Sequence, residues 1–224
     1  MTTLLDGASA ILLDFDGPVT QLMPAPVNKD AADLARAAFR DAGAGLPADL
    51  ADVSDHLAVL RAAQRAGSAT LQAVEDACRS AEVAAALVSQ PTLGVADLLR
   101  SARSAGIPVV IVTNNAPEAA HAFLHLHELD GLVHAVVGRD PERPDLMKPN
   151  PTLIDQATAF IDVAPTSAVL IGDSVTDVEA GHARGLHVIG YAKHARRGRE
   201  LAEAGADSVT ADLATIRVSG TTGR

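Results

Sequence analysis

The amino-acid sequence predicts an α/β fold, in which a doubly wound parallel (Rossmann-like) sheet forms the core and a helical cap domain is inserted. The first observation is that short apolar runs recur after residue 90, each followed by a stretch of helical character. Such alternation is typical of a parallel sheet that is covered by helices on both faces. The second observation is that residues 20–89 contain no strand-like run and show helical spacing of apolar residues instead.

The core strands are predicted from their apolar runs, because a buried parallel strand carries apolar side chains on both faces. The runs span residues 10–15, 108–113, 133–137, 168–172 and 186–190, with a short sixth candidate at 208–210. Helices are expected near residues 94–105, 116–128, 150–162, 175–184 and 196–204. Four glycines are expected at the C-terminal ends of helices, namely Gly106, Gly131, Gly185 and Gly205.

The cap is predicted from two sets of apolar residues at helical spacing. One set runs from Leu50 to Leu60, and the other runs in steps of three and four residues from Leu71 to Val88. An apolar stripe of this kind favours packing within a small helical bundle. We therefore assign residues 1–19 and 90–216 to the core, 20–89 to the cap and 217–224 to a flexible tail.

Composition and charge exclude several classes of function. The 224 residues include 18 Lys and Arg against 28 Asp and Glu, and the net charge of −10 argues against general attraction to nucleic acid. Aromatic residues make up 2% of the chain and Trp is absent, which excludes an aromatic platform for stacking bases. Any anionic substrate therefore needs a locally positive site.

The cysteine count and the N-terminal sequence bear on location. Cys78 is the only cysteine, so an internal disulfide is impossible and a reducing compartment is expected. The apolar run at residues 8–13 is too short for a signal peptide or a membrane span. We expect a cytoplasmic monomer or homodimer with neither a membrane nor a nucleic acid as its partner.

Two carboxylates follow the first predicted strand. Asp14 and Asp16 stand two residues apart and precede Gly17. Doubly wound sheets bind ligands outside the carboxyl ends of their strands, which places both side chains at the expected site. Carboxylates so close together favour a cation between them, and oxygen ligands suit Mg²⁺. Gly17 would let the backbone turn tightly and present N–H groups to an anion, and a plain turn is the alternative.

Polar side chains also follow the second strand and precede a later helix. Thr113 and Asn114 are neutral groups suited to phosphate oxygens, and Asn115 is predicted to cap the next helix. Lys148 stands before a helix that begins with proline, where its compact charge can balance a phosphate and the carboxylates. The alternative for Lys148 is an ordinary solvated lysine.

A second pair of carboxylates follows the fourth strand. Asp173 comes directly after this strand, and Asp177 lies one helical turn further on and can point back to the same place. Both can serve a metal ion, and the alternative is that Asp173 caps the next helix while Asp177 contacts its dipole. Because the polar groups all follow strands of one parallel sheet, they are expected to converge on one rim.

The order of these motifs resembles that of the haloacid dehalogenase superfamily, from about residue 9 to 212. Residues 13–17 resemble the first family motif, 111–114 the second, 148–149 the third and 171–177 the fourth. The insertion after the first strand is similar to the C1 cap of phosphoglycolate phosphatase-like members. The resemblance implies a Mg²⁺-dependent phosphatase whose partner is a small phosphorylated metabolite.

The resemblance also implies catalytic and metal-binding roles. Asp14 would be the nucleophile that forms an aspartyl-phosphate. Asp16 would protonate the leaving oxygen and then activate water. Mg²⁺ would bind Asp14, the main-chain oxygen of Asp16 and Asp173, with support from Asp177.

Phosphate binding is implied for four further residues. Thr113 and Lys148 would hold the phosphoryl oxygens, and Asn114 and the backbone of Gly17 would assist. A basic cluster follows the fifth strand and either recruits an anionic substrate or forms a solvated helix start; its members are Lys193, Arg196, Arg197 and Arg199.

Three alternative functions stay open at this point. A sugar-phosphate mutase would keep the same core residues. A phosphonate hydrolase would need a lysine in the cap, where Lys29 is the only one. A non-catalytic, metabolite-binding descendant would usually lack one of the acidic residues, and all four are present here.

Overall fold

The computed structural model describes residues 7–216, so the tail predicted at 217–224 lies outside the described residues. Within this range, six strands form one sheet: β1 (Ala10–Leu13), β2 (Val109–Val112), β3 (Ala135–Val137), β4 (Ala168–Gly172), β5 (His187–Tyr191) and β6 (Ser208–Thr210). Neighbouring strands are parallel throughout, in the order β3-β2-β1-β4-β5-β6. The predicted fold class is therefore confirmed.

Eight α-helices lie in the described range: α1 (Val27–Asp41), α2 (His56–Ala66), α3 (Ser68–Ala86), α4 (Val95–Ser104), α5 (Pro117–Leu126), α6 (Thr152–Phe160), α7 (Val175–His182) and α8 (Ala195–Glu203). The first four lie between β1 and β2 in the chain, and α1 to α3 of these form the insertion, whereas α5 to α8 alternate with the later strands. Across residues 7–216, no helix combines the length and apolarity that a membrane span requires.

The central strand β1 explains why the core strands read as continuous apolar runs. Successive side chains of a strand point to opposite faces. Ile11 and Leu13 pack into the layer that contains α4 and α5, whereas Leu12 packs into the opposite layer with α6 and α7. All four residues of β1 are fully buried. The sheet is therefore covered on both faces, which leaves its strand ends as the place where polar groups reach solvent.

The three helices of the insertion pack around their own apolar cluster. Phe39 of α1, Val59 of α2 and Cys78 of α3 belong to it, which confirms helical packing in this stretch. The set of apolar residues that begins at Leu50 does not form one helix. Leu50 ends a single 3-10 turn, and α2 starts only at His56, where the side chain of Asp55 accepts a hydrogen bond from the backbone of Leu57.

Two linkers join the insertion to the core, and they are hydrogen-bonded to each other. The hydroxyl of Thr20 donates to the carbonyl of Gln90 at 2.9 Å. The hydroxyl of Thr92 donates to the carbonyl of Gly17 at 2.9 Å, and its backbone N–H donates to Val19 at 2.8 Å. These contacts hold both linkers close to Asp16. The domain boundaries at residues 20 and 89 stay predictions.

Candidate active site

The sheet order brings the predicted polar groups to one place. Strand β1 lies between β2 and β4, and Leu13 is in register with Ile111 on one side and with Ile171 on the other. Asp14, Asn114 and Asp173 follow these three strands and line a cavity of about 610 Å³. We call this edge of the sheet the rim. The cavity lies between the rim and residues of α1 and α2, so the core and the insertion both face it.

Lys148 lies at the centre of the rim. It is only 1% exposed, and its Nζ lies 2.8 Å from Asp14 Oδ1 and 2.6 Å from Asp177 Oδ1. It also donates to the carbonyl of Val112 at 2.8 Å. Burial lowers the pKa of Lys148, but the two carboxylates raise it further, so the ammonium stays charged. The alternative of a solvated lysine is therefore wrong.

Asn114 holds the backbone of Lys148 with both ends of its amide. Its Oδ1 accepts from the N–H of Lys148 at 2.7 Å, and its Nδ2 donates to the carbonyl of Lys148 at 3.0 Å. Because two hydrogen bonds fix both position and direction, Asn114 orients the lysine that contacts Asp14. Asn114 also lines the cavity.

Three carboxylates form a group that fits a metal ion. Ligand oxygens of Asp14, Asp173 and Asp177 lie within 4.8 Å of one another. Burial, followed by the charge of Asp177, raises the pKa of Asp14 well above its usual range. Burial and the charges of Asp177 and Asp16 raise the pKa of Asp173 to about 7. One ammonium does not balance three carboxylates, and an all-oxygen donor set suits a hard divalent cation.

Asp16 occupies a different position from the other carboxylates. Its side chain lines the cavity but does not belong to the group of three, which limits its predicted metal role to the main chain. Its Oδ1 accepts from the N–H of Leu22 at 2.8 Å. Burial raises the pKa of Asp16, while hydrogen bonds from Leu22 and Met23 work in the opposite direction. A carboxyl with a raised pKa is suited to donate a proton near neutral pH.

Gly17 contributes space rather than a free N–H group. Its N–H donates to the carbonyl of Thr20 at 2.6 Å, so the predicted use of this amide for phosphate is not supported. Gly17 has φ of 111°, and a Cβ at this position would lie 2.5 Å from Cγ of Asp173. Gly172 is restricted in the same way, because its Cβ would lie 2.4 Å from Cγ of Asp177. Both glycines thus let the carboxylates approach the backbone.

Thr113 does not line the cavity. It is fully buried, and its hydroxyl donates to Asn115 Oδ1 at 3.1 Å and accepts from the N–H of Asn115 at 3.1 Å. Asn115 does line the cavity. It does not cap the next helix, since α5 has Ala116 as its N-cap residue. Thr113 therefore supports Asn115 instead of facing a ligand directly.

Asp177 takes part in a helix cap and also contacts Lys148 at the rim. Ser174 is the N-cap of α7, and it forms a capping box with Asp177. Asp177 Oδ2 accepts from the N–H of Ser174 at 3.0 Å, while Oδ1 contacts Lys148. The alternative that Asp173 caps this helix is wrong. The helix cap thus fixes the side chain of Asp177 in the direction of Lys148.

A buried ion network lies beside the cavity and was not predicted. Arg139, which follows β3, donates to both oxygens of Glu82 at 2.7 and 2.8 Å and to Glu75 at 2.8 and 3.0 Å. Glu82 Oε1 also accepts from Asn115 at 3.0 Å and lies 2.8 Å from Nε2 of His56. All five side chains are buried. This network joins α3 and the start of α2 to the core at the cavity wall.

The predicted basic cluster is divided by the structure. Lys193 and Arg197 line the cavity, whereas Arg196 is 87% exposed and pairs with Glu200. Arg199 does not line the cavity. Lys29 is also exposed and pairs with Asp33 of its own helix at 2.8 Å, which does not favour the phosphonate hydrolase alternative.

Comparison with known proteins agrees with this arrangement. A profile of haloacid dehalogenase-like hydrolases matches residues 8–185. A phosphoglycolate phosphatase from Thiobacillus denitrificans is 29% identical over 219 residues, which cover 92% of each chain. A phosphoglycolate phosphatase from Xylella fastidiosa is 34% identical over 113 residues, which cover 48% of each chain.

Solved structures show the same fold. CbbY from Rhodobacter sphaeroides, in complex with xylulose-(1,5)bisphosphate, has a TM-score of 0.68 at 20% identity, over 93% of this chain and 96% of that one. A HAD family hydrolase from Deinococcus radiodurans, with bound phosphate and sodium, has a TM-score of 0.61 at 25% identity, over 94% of each chain. Because the profile spans more than half of the chain and the fold agrees, the protein is an enzyme of the haloacid dehalogenase-like hydrolase family.

Proposed function

We propose that the protein is a Mg²⁺-dependent phosphatase that hydrolyses a small phosphate monoester through an aspartyl-phosphate on Asp14. The observation that carries the proposal is the grouping of Asp14, Lys148, Asp173 and Asp177 at the rim, under a cavity of small-molecule size. The phosphoglycolate phosphatases among the relatives support the same reaction class.

The first step transfers the phosphoryl group to Asp14. Both hydrogen bonds to this carboxylate, from the N–H of Phe15 and from Lys148, go to Oδ1, at 2.8 Å each. Oδ2 is therefore the oxygen that attacks phosphorus. The bond between phosphorus and the leaving oxygen breaks, and Asp16 gives its proton to that oxygen.

The second step regenerates the enzyme. Asp16, now ionised, accepts a proton from a water molecule, whose oxygen attacks the phosphorus of the aspartyl-phosphate. The bond between phosphorus and Asp14 breaks, and inorganic phosphate leaves. Mg²⁺, bound by Asp14 and Asp173 beside Asp177, would stabilise negative charge on the phosphoryl oxygens. Lys148 holds a positive charge at the same place, and Asn114 keeps it oriented.

The insertion would select the leaving group. We propose residues 20–89 as a cap because α1 and α2 contribute Asn28, His56 and Arg61 to the cavity wall opposite the rim. A wall on that side excludes water during transfer and contacts the part of the substrate beyond the phosphate. The proposed cytoplasmic location and the monomeric or homodimeric state stay predictions.

The test is a phosphate-release screen over phosphorylated metabolites in the presence of Mg²⁺, with phosphoglycolate included. The Asp14→Asn variant is the matched control, since it keeps the size of the side chain but removes the nucleophile. We expect turnover by the wild type and no trapped acyl-phosphate in the variant. Single-turnover chemistry at the wild-type rate in Asp14→Asn contradicts the mechanism. Transfer of phosphate to a second sugar position, without release, indicates a mutase.

A further inference from the structure

Arg61 faces the cavity, and it has no ionic partner among residues 7–216. It lies on α2, is half-buried, and its Nη2 donates to the carbonyl of Lys148 at 3.2 Å. Within the part of the chain that the structure describes, no carboxylate lies within 4.0 Å of its guanidinium. The other cations buried near the cavity differ, since Arg139 and Lys148 each contact two carboxylates.

The chemistry of the guanidinium indicates which kind of ligand Arg61 can bind. Arginine has five N–H donors in a planar fork and is always charged at neutral pH. A single hydrogen bond to a carbonyl uses one donor and does not neutralise the charge. Carboxylates and phosphates fit the fork with two parallel hydrogen bonds. Arg61 is therefore suited to an anion that enters the cavity.

The position of Arg61 relates this anion to the proposed reaction. Its guanidinium contacts the backbone of Lys148, whose side chain contacts Asp14. An anion bound to Arg61 would thus be separated from the phosphoryl site by about the length of the Lys148 side chain. The opposite wall adds Lys193 and Arg197, so both walls carry cations although the whole chain has a charge of −10. Arg197 already contacts Glu200 at 3.1 Å, and Lys193 is exposed, with its Nζ over the ring of Tyr191. Arg61 is half-buried and has a planar fork of donors, which makes it the better primary ligand.

We propose that Arg61 binds a second anionic group of the substrate, so that the substrate is a phosphate monoester which also carries a carboxylate or a second phosphate. This proposal rests on the phosphatase function proposed above and defines its substrate class. Arg61 is a binding residue here, because its guanidinium contacts the distal anion and not the reacting atoms.

The test compares three substrates of similar size. Phosphoglycolate carries a carboxylate, 1,3-propanediol bisphosphate carries a second phosphate, and 2-hydroxyethyl phosphate is uncharged at the distal end. For each we measure kcat/KM in the wild type and in the variants Arg61→Gln and Arg61→Lys. Arg65→Gln is the control, since Arg65 is exposed near the end of the same helix.

We expect the wild type to prefer at least one of the two doubly charged substrates over 2-hydroxyethyl phosphate. This preference should fall about 10- to 100-fold in Arg61→Gln, the usual range for a lost hydrogen bond to a charged group. It should fall less in Arg61→Lys and stay at the wild-type value in Arg65→Gln. Whichever of the two anionic substrates shows the fall identifies the distal anion.

Failure of the Arg61 proposal can be distinguished from failure of the proposed phosphatase function. An equal fall for all three substrates means that Arg61 only supports Lys148, and it overturns the proposal while the phosphatase function stands. An unchanged preference in Arg61→Gln overturns it as well. If Arg61→Gln does not fold, Arg61→Lys decides, and an unchanged preference there has the same meaning. Failure of the wild type to release phosphate from any of the three substrates overturns both proposals.

Discussion

Replacement of Glu82 by Gln should cost far more stability than the same change at Glu75, although both side chains contact Arg139. Glu82 is fully buried, and Glu75 is 3% exposed. Glu82 accepts from Asn115, Ala116 and Arg139 and lies 2.8 Å from His56. Among the described residues, only Arg139 donates a hydrogen bond to the side chain of Glu75. Glu82→Gln keeps the shape of the side chain and removes its negative charge. The two variants therefore measure what each charge contributes.

The pKa of each group gives the size of the effect. Burial raises the pKa of Glu82, but the charge of Arg139 and the contact with His56 outweigh it and bring the pKa down from 4.5 to about 2. Each pKa unit corresponds to about 1.4 kcal/mol, so ionised Glu82 contributes about 3 kcal/mol at neutral pH. For Glu75, burial outweighs Arg139 and the pKa is raised. Neutralising Glu75 therefore costs little.

The assay is urea denaturation at pH 7, with Asp76→Asn as the control for an exposed ion pair on α3. We expect a loss of about 3 kcal/mol for Glu82→Gln, against less than about 1 kcal/mol for Asp76→Asn. Because the folded pKa of Glu82 is lowered, its contribution is complete above about pH 4.5. It should vanish as the pH falls from there towards 2. An equal or larger cost for Glu75→Gln would refute the reasoning.

Three further predictions concern the rim. Asp16→Ala should lower kcat about 10²- to 10⁴-fold, the usual contribution of a general acid–base group, and steady-state kinetics on a small aryl phosphate measure it. Gly172→Ala should displace Asp177 and lower activity, because its Cβ would lie 2.4 Å from Cγ of that residue. The control is Gly45→Ala at the surface, where a Cβ would meet no atom within 4 Å; a fully active Gly172→Ala variant contradicts this prediction. Exhaustive EDTA treatment should abolish phosphatase activity and added Mg²⁺ should restore it, whereas full activity in EDTA excludes the proposed cation.

The sheet was predictable because each of its strands reads as a local apolar run. The runs at 168–172 and 208–210 agree with β4 and β6, and the other strands shift by one or two residues at their ends. Helix ends were less predictable. Gly106, Gly185 and Gly205 follow α4, α7 and α8 with positive φ, as predicted. The prediction for Gly131 is wrong, because Glu128, with φ of 56°, follows α5 in the left-handed region instead. A helix can end on an unfavoured residue when its packing fixes the length, which the sequence pattern does not record.

The insertion shows a second limit of the sequence pattern. Helix α1 was not predicted as a separate element, because its buried face consists largely of Ala31, Ala32 and Ala35. Small residues give a weak apolar stripe although they allow close helix packing. In contrast, α3 follows the predicted stripe from Leu71 as far as Ala85. The last predicted member, Val88, is wrong, because α3 ends at Ala86 and Val88 is 78% exposed.

The positions of the rim residues were predictable, but the directions of their side chains were not all predicted correctly. Residues that follow buried strands of one parallel sheet must lie at one edge, which located Asp14, Asn114 and Asp173. The direction of Thr113 follows from strand alternation, since Val109 and Ile111 point into the α4 and α5 layer. Thr113 continues that series and is therefore buried. The alternation was available in the sequence and argues against a direct phosphate contact.

Long-range contacts with the insertion were beyond the sequence alone. Glu75 and Glu82 are seven residues apart, on the same face of α3 as Cys78 and Ala85. Two carboxylates on an apolar face predict a buried cationic partner. Nothing local identifies that partner as Arg139, which lies 57 residues beyond Glu82. The same holds for Arg61, whose contact with Lys148 spans 87 residues.

The charge balance at the rim connects these observations. Asp14, Asp173 and Asp177 carry three negative charges when ionised, and Lys148 supplies one positive charge. Two negative charges are left over, which would repel a phosphate dianion from a buried site. Protons can reduce this excess, and the pKa of about 7 at Asp173 expresses that tendency. A divalent cation removes the excess completely while it leaves Asp14 ionised and able to attack. The raised pKa values and the proposed need for Mg²⁺ are therefore two consequences of one imbalance, fixed by the strands that bring these residues together.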